Sequence, residues 1–104
     1  MTYLEFLEKV VNELSKVVKG SAKLEFSVNS FGQPDLEAAY FKVTFNRANI
    51  SAYFDCGINS EAKDYYSLLC NHPKHAKTYI ECCAERLQTC LEHEILYAFF
   101  TREE

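Results

Sequence analysis

The chain has 104 residues, 48% hydrophobic and 25% charged, with a net charge of −4. That length sets one domain, 1–104, and the ordinary composition, with only three Gly and two Pro, excludes long disorder. The acidic balance argues against sequence-independent nucleic-acid binding, which needs a basic patch.

Five cysteines are present, an odd number, and Cys82 and Cys83 are neighbours. That is not the spacing of a disulfide framework. The N-terminus, MTYLEFLEKV, carries acids early and does not read as a secretion signal. No apolar run reaches the length of a membrane span. The expectation is a small acidic cytoplasmic protein with reduced thiols and no membrane contact.

Thr2 followed three residues later by Glu5 is the capping-box pattern, so a helix begins there. Leu4, Leu7, Val10, Val11, Leu14, Val17 and Val18 give it one apolar stripe, and Lys19-Gly20 is the expected stop. From Ala22 the period changes to two. Leu24, Phe26 and Val28 alternate with Lys23, Glu25 and Ser27, which predicts a half-buried strand over 22–30. Ser30 to Glu37, with its Gly and Pro, reads as a loop. Ala39, Phe41, Val43 and Phe45 alternate with polar residues over 38–46, and Ile50, Ala52, Phe54 and Cys56 do so over 49–56. A turn at Arg47-Ala48 pairs Phe45 with Ile50, Val43 with Ala52 and Phe41 with Phe54, leaving all apolar partners on one face.

Ser60 is placed to cap a short helix with Ala62, Tyr65, Tyr66 and Leu69 on its inner side. His72-Pro73 breaks it. Pro73 then opens a long helix reaching about Phe100, with Ala76, Ile80, Cys83, Ala84, Leu87, Leu91, Ile95 and Ala98 as its stripe. The fold class is therefore α+β: helix, three-stranded antiparallel sheet, short helix, long C-terminal helix, with the helices packed on one face of the sheet. A helix of about 28 residues is about 42 Å long, more than a domain of this size needs. It either bends near Glu94 or projects. Its end is apolar on every side, so Leu96, Tyr97, Phe99 and Phe100 are expected to form a homodimer contact.

Cys70, His72, His75, Cys82, Cys83, Cys90 and His93 form the one set with metal-ligand chemistry. His75 and Cys90 would lie about 22 Å apart on a continuous helix, too far to share an ion. No metal and no cofactor are expected. Cys56 ends a strand beside Asp55, but no base or oxyanion donor is marked for it, and no Gly-rich phosphate loop exists. No catalytic residue is expected.

The helix–three strands–helix order over residues 1–72 resembles that of double-stranded-RNA-binding domains. That resemblance implies phosphate contacts from a basic cluster opening the second helix. Here the segment reads Ser60-Glu61-Ala62-Lys63-Asp64, with two acids, so direct nucleic-acid contact is not expected.

The outer sheet face carries Glu25, Tyr40, Lys42, Tyr53 and Asp55, tyrosines flanked by charges, a composition common at protein interfaces. The expected function is a non-enzymatic inhibitor that occludes a surface on a larger protein partner. In size and character the chain is similar to phage-encoded anti-defence proteins such as anti-CRISPR proteins. A small Cys/His-dependent enzyme or metal-binding domain is one alternative, and a self-associating structural subunit is the other.

Overall fold

The computed structural model describes residues 1–18, 20–45 and 50–102, and the side chains among them except at 45, 50 and 94–102. Helix α1 spans Tyr3–Val17 and opens as its sequence dictates. The Thr2 hydroxyl oxygen accepts from the Glu5 N–H at 3.2 Å, and the Glu5 carboxylate accepts from the Thr2 N–H at 3.3 Å. Phe6, Leu7, Val10 and Leu14 form its buried face. Phe6 joins the core beside Tyr3 and Tyr66, while Val17, expected inside, is exposed at the last turn. The helix ends two residues earlier than the Lys19-Gly20 signal, because Val18 is already extended and Gly20 begins the next element.

Strands β1 (Gly20–Val28), β2 (Pro34–Phe45) and β3 (Ile50–Asp55) form an antiparallel sheet in the order β1-β2-β3. The β2–β3 register pairs Phe41 with Phe54, Val43 with Ala52 and Phe45 with Ile50, as alternation requires. The expected Arg47-Ala48 turn lies outside the described residues. On β1, Ala22 lies opposite Val43 and Leu24 opposite Phe41.

Two expectations on this side need correcting. Residues 30–37 are not all loop, since β2 starts at Pro34. Proline is tolerated at the first position of a strand, where no ladder N–H is required. The connection is a tight turn instead. The Asn29 side-chain oxygen accepts from the N–H groups of Phe31 and Gln33 at 2.9 and 3.0 Å, and Gly32 takes φ 78°, a conformation open to glycine. The second correction is that Phe26 and Val28 are 38% and 58% exposed, although their phase points inward. The β1–β2 register shifts between Glu25 and Ser27. Nine strand residues rise about 30 Å, whereas the 15 residues of α1 cover only about 22 Å. The far end of the hairpin therefore outruns its helical cover.

Helix α2 spans Glu61–Asn71, capped by the Ser60 oxygen, which accepts from the Lys63 N–H at 3.2 Å. Pro73 does not open the final α-helix directly. Pro73–His75 form one 3-10 turn, and α3 runs from Ala76 to Arg102 with helical backbone throughout. Its 27 residues make about 40 Å, close to the molecule's long dimension of 45 Å. Ile80, Cys83, Ala84, Leu87 and Leu91 meet α1, α2 and the inner sheet residues Ala39, Phe41, Val43 and Ala52 in one core. Arg86 of α3 and Glu61 of α2 form an ion pair at 3.3 Å across the two helices. No helix is long and apolar enough to cross a membrane among the described residues.

Candidate functional site

Because all helices pack on the inner side, the outer side of the sheet is defined by period two alone. Its middle rows read Lys23–Lys42–Tyr53 and Glu25–Tyr40–Asp55 across the three strands, and Thr44 and Ser51 follow in the next row. All five residues expected to bind a partner, Glu25, Tyr40, Lys42, Tyr53 and Asp55, thus share one face.

These side chains hold one another. The Tyr40 hydroxyl donates to the Glu25 carboxylate at 2.6 Å, and this hydrogen bond, with some burial, raises the Tyr40 pKa above the ordinary phenol value. The Tyr40 and Tyr53 rings meet edge to face with centroids 5.7 Å apart, and the Lys42 ammonium lies 6.0 Å from the Tyr53 centroid. Tyr53 remains 61% exposed. Asp55 also has a local task, accepting the Gly57 N–H at 3.1 Å where the chain leaves β3.

Two clefts flank this face and were not visible in the sequence. One, of about 530 Å³, lies at the β1–β2 register shift and is bordered by Leu24, Glu25, Phe26, Ser27, Ala38 and Tyr40. The other, of about 310 Å³, brings Tyr53 and Asp55 of β3 beside Asn59, Glu61 and Cys90. Only the exposed polar phase of each strand pointed toward them, since the first depends on the β1–β2 register shift and the second on Leu87 and Cys90 of α3 reaching β3.

The cysteines are all free and do not converge with the histidines. Among the described residues no three His, Cys, Asp or Glu side chains come together as a metal ion would require. Cys56 and Cys83 are fully buried. Burial, then the nearby acids Asp55 and Glu61 respectively, pushes each thiol up to about 12, away from a reactive thiolate. The groups acting electrostatically on Cys56 are Asp55 and Cys83, both of which oppose its ionisation. This environment is that of a packed small hydrophobe.

The start of α2, where the RNA-binding resemblance would place phosphate contacts, is otherwise engaged. Glu61 pairs with Arg86, and the Lys63 ammonium sits 4.3 Å from the Tyr3 ring centroid and 5.3 Å from that of Tyr66. Tyr3 in turn donates to the Cys56 carbonyl at 2.6 Å, tying α1 to the end of β3. The side chains of Leu96, Tyr97, Phe99 and Phe100, expected at a dimer contact, lie outside the described residues. Comparison of the chain with protein-family models, curated proteins and solved structures gave no match.

Proposed function

We propose that the protein is a non-enzymatic binding protein that occludes a surface on a larger protein partner with its outer sheet face. The observation that carries this reading is the ordered set Glu25–Tyr40–Tyr53–Lys42 on a face that no helix covers. Rings and charges already held in place lose little side-chain freedom on binding, and tyrosine supplies large contact area for few rotatable bonds. Lys23 and Lys42 in one row and Glu25 and Asp55 in the next give this face both signs of charge in a fixed pattern. That suits it to a partner surface of complementary pattern, and an anti-defence inhibitor would work by blocking such a surface. Five free thiols are in keeping with a reducing compartment, the cytoplasm.

The test is capture from the native host, with mass spectrometry, using wild type, the double variant Lys42→Ala with Tyr53→Ala, and Leu68→Ala. Leu68 is exposed on α2, away from the sheet. A partner held by wild type and Leu68→Ala, and lost by the double variant, is the expected result. Equal capture by all three proteins would place binding on another surface.

A further inference from the structure

Strand β1 has nine residues and pairs only with β2, and among the described residues no strand occupies its other side. The register shift does not interrupt that free edge. Between the pairs Glu25–Tyr40 and Ser27–Asp35, β1 has one residue and β2 has four, so the extra residues belong to β2. A long edge strand of this kind is a template for another strand.

We propose that a second copy of this chain pairs with β1, antiparallel about a two-fold axis at Leu24, to make a continuous six-stranded sheet. Charge selects both the occupant and the register. Within one chain Lys23 lies opposite Lys42, a like-charge neighbour, and no ion pair among the described residues involves Lys23. An axis at Leu24 sets Lys23 opposite the partner's Glu25, and the symmetry repeats that contact. Moving the axis to Lys23 or to Glu25 sets two lysines or two glutamates face to face. The edge thus complements itself in one register, as a two-fold interface requires. The remaining edge, β3, has Asp55 as its only charge and selects no register.

The inner side agrees with the same axis. The half-buried Leu24 meets the partner's Leu24. Phe26 and Val28, which outrun their own helical cover, come opposite the partner's Ala22 and the partner's Gly20, at the end of the sheet where α1 ends. Apolar surface left wet in one copy is covered by the other.

Sedimentation equilibrium at micromolar concentration on wild type, Lys23→Glu, Glu25→Lys and the double reversal tests this. The wild type is expected to be a dimer. Each single reversal creates two like-charged contacts and is expected to weaken it about tenfold or more. The double reversal restores opposite charges across the axis and is expected to return the affinity to near the wild-type value. Glu25→Lys also removes the Tyr40 hydrogen bond, and recovery in the double reversal separates that loss from the interface effect. A monomeric wild type, a dimer indifferent to the single reversals, or a double reversal that stays dissociated would each overturn the proposal.

Discussion

Phe41 is fully buried, between Leu24 on one neighbouring strand and Phe54 on the other. Phe41→Ala should cost about 3–5 kcal/mol and Leu87→Ala about 2–5 kcal/mol in chemical denaturation, as truncations in a packed core do. Phe26→Ala should cost less, about 1–2 kcal/mol, because Phe26 is 38% exposed. The contrast between two phenylalanines of the same phase checks the limit of the helical cover. At Cys56 and Cys83 the prediction concerns pH. Both thiols hold their protons to about 12 when folded, against 9.0 for an unperturbed thiol. Above pH 9 the unfolded chain therefore binds fewer protons, and stability should fall as pH rises toward 12. Replacing both residues with alanine should flatten that fall, measured as the denaturation midpoint against pH. At pH 8 a thiol reagent should modify the exposed Cys70 first, and reach Cys56 and Cys83 only on unfolding.

Among the elements, local signals were legible wherever the controlling contacts are close in sequence. Thr2 with Glu5 and Ser60 with Lys63 form their caps as the spacing implies, and Thr2→Ala should cost about 0.5–2 kcal/mol of thermal or chemical stability. The β2–β3 register followed from alternation, because a slip of one residue would turn Ala52 and Phe54 of β3 outward while Phe41 and Val43 of β2 stayed inward. The β1–β2 hairpin was less legible. Alternation encodes which way Phe26 points but not where α1 runs out, and the loop reading of 30–37 gave too much weight to Pro34. The turn there depends on Gly32, whose positive φ leaves open space around an added methyl. Gly32→Ala should therefore cost about 1–2 kcal/mol from backbone strain alone, measurable by denaturation. Phe6 lies four residues before Val10 and eight before Leu14, on the buried stripe of its own helix, and was passed over in favour of Leu4 and Leu7; the rings of Tyr3 and Tyr66 pack beside it.

At the scale of the whole molecule, the candidate face was readable because period two alone decides which residues share a side. Its flanking clefts were not, since one arises from the β1–β2 register shift and the other from Cys90 of α3 coming beside β3. The same division explains the cysteines. Their spacing ruled out a framework, but the inertness of Cys56 comes from packing that the spacing does not contain. On the proposed protein-binding face, Tyr53 is the most exposed aromatic side chain. The most direct measurement is calorimetric titration of the captured partner with wild type and Tyr53→Ala. The dissociation constant is expected to rise about tenfold or more, roughly 1.4 kcal/mol, in a variant that keeps its fold and loses only the small stability of the Tyr40–Tyr53 ring contact. An unchanged dissociation constant for the folded variant would contradict it.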